Sequence, residues 1–280
     1  MLIGWHTKHD FGLTPARVVS VLVNFLFYII FPLFILLAVW EAGGSLASGA
    51  KVILSGLGVV AVGAFASFLE HRLSKQPIRE VFLPITFMNS MYLALPVNLL
   101  ISGKQSLFCV IMYNLAITFA HFTVGIWVVA KGNSRDRFLE IFKIPMIYAI
   151  ALGFLLRMSK VTTPVVVEQA HSILNSIVPV LMLGLVGFQL SQTQSTSWLQ
   201  AMRLSVWRFS SGIIGAIIMV AVLSLSGIPR TTVFVSSLMP TAINAYIVAE
   251  KFKASPGLAA ATIVISTIIC LSGIIVYVTL

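Results

Sequence analysis

Two apolar stretches of this chain, each long enough to cross a bilayer, are interrupted in the same way. The first reads Phe87-Met88-Asn89-Ser90-Met91-Tyr92-Leu93-Ala94-Leu95-Pro96. The second reads Leu238-Met239-Pro240-Thr241-Ala242-Ile243-Asn244-Ala245-Tyr246, with Asn89 and Pro240 151 residues apart. Proline lacks a backbone donor and its ring collides with the preceding turn, so an unbroken helix is not expected at either place. Backbone groups freed at membrane depth are tolerated only when buried in protein or lining a wet cavity. A chain of this kind must therefore fold so that other segments cover both breaks.

The chain is 59% hydrophobic and only 9% charged, with mean hydropathy +1.02. Soluble domains carry roughly 25% charged residues. The composition is that of a polytopic membrane protein, with the lipid bilayer as its first partner. A net charge of +10 would suggest nucleic acid in a soluble protein. Here the cations lie between apolar spans and read as topology determinants, so no nucleic-acid partner is expected. Cys109 and Cys270 fall in different spans and read as small buried apolar residues.

With about 20 apolar residues per crossing, nine spans are expected: A (17–40), B (51–72), C (81–102), D (105–130), E (143–159), F (165–190), G (202–227), H (230–251) and I (256–279). The connections are too short for a soluble module, and the whole chain, 1–280, reads as one transmembrane domain. The spans form two series. Pro32 and Asn24 in A match Pro179 and Asn175 in F. Gly56, Gly58 and Gly63 in B match Ser211, Gly212 and Gly215 in G, small residues of the kind that let membrane helices approach closely. C matches H through the interruptions, and D matches I. E has no partner, but Gly4, Lys8 and Pro15 line up with Gly153, Arg157 and Pro164 at its end. A five-plus-five repeat is expected, with repeat one (1–131) lacking nearly all of its first helix and repeat two at 143–280.

Charge sets the expected orientation. Lys8, Arg17, Arg72, Lys75, Arg79, Lys131, Arg135, Arg137, Lys143, Arg203, Arg208, Lys251 and Lys253 fall on one side. Lys51, Lys104, Arg157, Lys160 and Arg230 fall on the other, thirteen against five. This favours a cytoplasmic amino terminus and an external carboxyl terminus. The odd number of spans between the two series makes the repeat an inverted one.

A helix broken near the bilayer midplane exposes a half-helix amino terminus with partial positive charge and unpaired N–H groups. Two such ends crossing make an anion site without a charged side chain. Asn89, Pro96, Pro240 and Asn244 are the candidate binding residues at the breaks, the asparagines supplying amide donors and acceptors. The plainer alternative is that Pro96 and Pro240 only kink two helices while the asparagines satisfy freed carbonyls. Asn114, Thr118, His121 and Gly125 form a stripe on one face of D, and Thr262, Ser266 and Gly273 a weaker one on I. Asn114 and His121 are further candidates for lining the site, and interhelical hydrogen bonding is the competing use. His121 is able to carry a proton near neutral pH, against the simpler role of a neutral, hydrogen-bonded core histidine. All eight acidic residues sit in loops or toward span ends, which argues against a cation exchanger. No HExxH, GxSxG or glycine-rich phosphate loop occurs, so no metal, cofactor or enzymatic activity is expected.

These residues resemble the auxin efflux carrier family. Asn89 to Pro96 is similar to the family's Asn-x-Gly-x-x-Gly-x-Pro segment in its first crossover helix. Met239-Pro240-Thr241-Ala242, with Ala245, Ala249 and Phe252, is similar to the second crossover, and Pro32 and Pro179 fall where the family carries prolines. The resemblance runs over essentially the whole chain. It implies a ten-helix inverted repeat with crossing broken helices, in which A, E and F form a scaffold and the rest a mobile transport core. It also implies carboxylate substrates, such as auxin or small dicarboxylates, and a homodimer through the scaffold helices. Met91 and Ala94 depart from the family's glycines, and the first scaffold helix is absent from the pattern. The expectation is a cell-membrane carrier of a small organic anion working by alternating access. The alternatives are a non-transporting receptor or inactive subunit and, among carriers, a bile-acid-type sodium symporter.

Overall fold

A computed structural model describes residues 21–22, 24–41, 46–143, 145–159, 162–174, 176–177, 180 and 198–279. The expectations that rest on Gly4, Lys8, Pro15, Asn175, Pro179 and the second half of span F lie outside these residues. Among the described residues there is no strand, and the architecture is all-α. In chain order the helices are α1 (Phe31–Glu41), α2 (Leu46–Ser74), α3 (Ile78–Thr86), α4 (Ala94–Ser102), α5 (Leu107–Ala120), α6 (Ile126–Val129), α7 (Ser134–Phe142), α8 (Pro145–Met158), α9 (Trp198–Val222), α10 (Gly227–Ser237), α11 (Asn244–Phe252) and α12 (Pro256–Thr279). A π-turn, His121–Gly125, joins α5 to α6, and another, Leu26–Ile30, leads into α1.

Among the described residues four helices are long and apolar enough to cross a membrane: Gly49–Ser74, Phe108–Val129, Trp198–Val222 and Pro256–Gly273. They mark the chain as a membrane protein. Their exposure pattern is that of helices in lipid. On α9, Val206, Ile213, Ile214, Ile217 and Ile218 are exposed, while Ser205, Arg208, Ser211 and Gly212 are buried. Apolar side chains face outward and small or polar ones inward, the inverse of a soluble amphipathic helix.

The spans predicted as C and H are not single helices. Each is a pair of half-helices separated by a short non-helical segment of bridge and turn: α3 and α4 around 87–93, α10 and α11 around 238–243. Nine residues of helix rise about 14 Å, roughly half of the ~30 Å hydrocarbon core. The first break does not occur at Pro96. That residue lies in the first turn of α4, where its missing N–H would lack an intrahelical partner anyway. The proline upstream of the break is Pro84, inside α3. In the second segment Pro240 does lie in the gap. Two other boundaries differ from expectation. G begins at Trp198 rather than 202, and the connection 131–142 contains helix α7.

The packing is pairwise regular. Helices α2 and α9 pack on each other, with Gly58 against Met219 and Gly215 against Val59. Helix α2 packs on α3 and α5 as α9 packs on α10 and α12. Across the centre, α3 meets α9 and α12 as α10 meets α2 and α5. Helices α1 and α8 pack on each other to one side, with Gly153 against the Leu36 carbonyl and Val39. At one end of the bundle Arg79 donates to the terminal carbonyls of α6 and α11, Val129 O at 2.9 Å and Phe252 O at 2.7 Å. At the other end Lys51 donates to Leu223 O.

Candidate functional site

The two interruptions lie against each other. Met88 and Thr241 form an isolated antiparallel bridge, in which Asn89 N–H donates to Pro240 O at 2.7 Å and Ala242 N–H to Phe87 O at 2.9 Å. Each broken segment thus supplies partners for the backbone groups that the other lost when its helix ended. The remainder are met by side chains. Thr241 Oγ1 donates to Pro84 O at 2.8 Å, and Thr241 N–H donates to Ser266 Oγ at 3.1 Å. Ser266 belongs to the weak polar stripe on α12, and this is what it does.

Behind the bridge lies Arg208, fully buried on α9. Its Nη1 donates to Ile85 O at 2.8 Å and Thr86 O at 2.9 Å, and its Nη2 to Ser237 O at 3.2 Å. One guanidinium therefore caps the carboxyl ends of both α3 and α10. Two glycines allow the surrounding helices this close. A Cβ on Gly63 of α2 would lie 3.0 Å from Thr86 Cα, and one on Gly212 of α9 would overlap Ser237 O and Arg208 Nη2. Ser67 Oγ bonds Thr86 Oγ1 at 2.9 Å, and Tyr113 OH bonds Ser237 Oγ at 2.7 Å.

On the opposite side of the bridge, at the start of α4 and α11, is a cavity of about 20 Å³, room for about one water. Asn89, Ser90, Tyr92, Asn114, Thr118, His121 and Asn244 are among its lining residues. A second cavity of about 30 Å³ toward Phe31 and Phe34 of α1 shares Tyr92, Asn114, Thr118 and Asn244. Neither half-helix beginning here carries a side-chain cap, at Leu93 or at Ile243. Asn89 Oδ1 instead accepts from Leu93 N–H at 3.4 Å, and Ser90 Oγ donates to Asn114 Oδ1 at 2.8 Å. Asn244 Oδ1 and His121 Nε2 are buried without a partner. His121 stacks on Phe87, with ring centroids 4.3 Å apart. Gly125 presses against Phe87 and Leu83 and serves packing.

Four of the six predicted site residues, Asn89, Asn114, His121 and Asn244, meet at this cavity. Pro96 does not, being exposed on α4, and Pro240 lies buried in the bridge and acts through its carbonyl. Arg208, expected among the loop cations, is instead an interior residue of α9. Its helix face held the missed signal: Ser205, Arg208, Ser211, Gly212 and Gly215 recur at helical spacing, and all are buried. Glu70 is also buried, near the end of α2, where Arg203 pairs with it at 2.7 Å and Trp207 Nε1 donates to it. No carboxylate lines the crossover cavity, and among the described residues no three acidic, His or Cys side chains cluster as metal ligands.

No family model matches this chain, and no curated protein matches it. What the molecule does must therefore be read from the geometry of the crossover.

Proposed function

We propose that the protein is a secondary carrier moving a small organic anion across the cell membrane by alternating access, with the crossover cavity as its site. The observation that carries this is the meeting of two interrupted helices at a polar, carboxylate-free cavity. Half-helix amino termini offer N–H groups and partial positive charge to an anion, and interrupted helices mark binding sites in transporters built from repeats. The Asn89, Asn114 and Asn244 side chains line the cavity, and the NH2 of such an amide is the donor that an anion accepts from.

The same reading places the chain in the auxin efflux carrier family, with an inverted repeat of nine spans. Support comes from the paired contacts of α2–α5 with α9–α12 and from Gly63 on Thr86 and Gly212 on Ser237, equivalent places in the two series. Eight of the nine spans match elements already described, the four long helices, the two half-helix pairs, and α1 and α8, and the described start of F, 165–174, is helical as well. A cavity the size of a water belongs to a closed state, so substrate entry requires the crossover to separate from α1, whose Phe31 and Phe34 line its outer side.

Uptake of radiolabelled monocarboxylates and dicarboxylates into proteoliposomes tests the proposal. Flux is expected for at least one acid. Asn89→Ala and Asn244→Ala should each reduce it roughly tenfold or more, the effect of losing a hydrogen bond to a charged ligand. Unchanged flux in both variants would remove the site.

A further inference from the structure

Arg208 lies near the middle of the 25-residue α9, at the depth where a charge is most costly to bury. No described carboxylate pairs with it, and its hydrogen-bond partners are the three backbone carbonyls of Ile85, Thr86 and Ser237. The charge balance is still good. A helix carboxyl terminus is equivalent to about half a negative charge, and α3 and α10 both end on this guanidinium. Two such ends offset about one positive charge. Unwound carbonyls and half-helix carboxyl ends are also the groups that hold sodium in transporters with broken helices.

We propose that Arg208 is a tethered counter-cation filling a monovalent-cation site formed by the carbonyls of Ile85, Thr86 and Ser237. While the guanidinium is in place, free sodium has no berth behind the crossover. Truncating the side chain leaves the two half-helix ends unneutralised and opens a carbonyl-lined space. Gly212 keeps that space clear, since it has no side chain to fill it. A small hard cation then takes the guanidinium's place. Under the carrier reading, on which this consequence rests, native flux runs without a sodium gradient and an Arg208 truncation acquires sodium dependence.

The experiment measures thermal unfolding of the purified full chain in detergent, in sodium chloride and in choline chloride at equal ionic strength. Wild type and Arg208→Lys should unfold at the same temperature in both salts. Arg208→Ala, purified in sodium, should unfold at a lower temperature in choline and recover as sodium is added, rising with the logarithm of concentration once the site saturates. An Arg208→Ala protein that is indifferent to the cation, or that cannot be isolated folded even in sodium, overturns the proposal. So does a sodium response in wild type or Arg208→Lys as large as in Arg208→Ala. Proteoliposome flux separates the two claims. Absent flux with the expected unfolding pattern removes the carrier reading and leaves the cation site. Wild-type flux with a cation-indifferent Arg208→Ala does the reverse.

Discussion

Single residues decide how closely the chain can be drawn together at the crossover. Gly63 and Gly212 illustrate this, because each faces the carboxyl end of a half-helix that must come within contact distance of a neighbouring helix. Adding a methyl at Gly212 pushes against the Ser237 carbonyl and the Arg208 guanidinium together. Gly212→Ala is expected to destabilise by about 1–3 kcal/mol, the usual effect of overpacking. On an exposed part of α12, a methyl added at Gly273 would meet nothing within 4 Å, so Gly273→Ala should leave the unfolding temperature unchanged or slightly raised. Thermal unfolding in one detergent compares the two, and equal losses would show that the close approach at Gly212 is not real. The candidate asparagines were legible at this scale because amides are rare within apolar runs. Arg208 was not, since a cation near a span boundary looks like a loop residue until the helix is given its full length.

At the scale of elements, the unit that matters is a broken helix with its partner. A lone interrupted helix would leave carbonyls and N–H groups unpaired in lipid, each costing several kcal/mol. Two of them crossing can pair through Met88 and Thr241 and meet the rest with Thr241, Ser266 and Arg208. The bridge has a direct test. Opposed residues in a non-hydrogen-bonded antiparallel pair have Cα atoms about 4.5 Å apart, within the range a disulfide spans. Met88→Cys with Thr241→Cys, in a chain with Cys109 and Cys270 replaced by Ala, is expected to form an intramolecular disulfide on mild oxidation. Loss of maleimide-polymer labelling under oxidant, restored by reductant, would register it. Free thiols persisting under oxidant would mean that the breaks do not touch.

For the molecule as a whole, the ends of the bundle sort the cations. Arg79 ties the end of α6 to the end of α11, putting Lys75 and Lys253 at that end, whereas Lys51 reaches the end of α9 at the other. Single cysteines at Lys75 and Lys253 are expected to react with an impermeant maleimide only from the cytoplasmic side. Cysteines at Lys51 and Arg230, exposed positions toward the other end, should react only from outside. Labelling of Lys75→Cys and Lys51→Cys from the same side would contradict the arrangement. Removing Arg208 from the tally leaves twelve cations against five, so the charge bias that motivates this orientation survives the correction.

Periodicity and composition alone settled the helical, membrane-bound character of the chain, because a bilayer allows so few solutions to an apolar run of this length. They also located both interruptions, since proline and asparagine inside such runs need a special backbone. Tertiary structure decided where each break falls, that Pro240 and not Pro96 lies in one, and that a single arginine closes the ends of α3 and α10. Those outcomes depend on groups more than a hundred residues apart finding one another, and local sequence carries no record of that meeting.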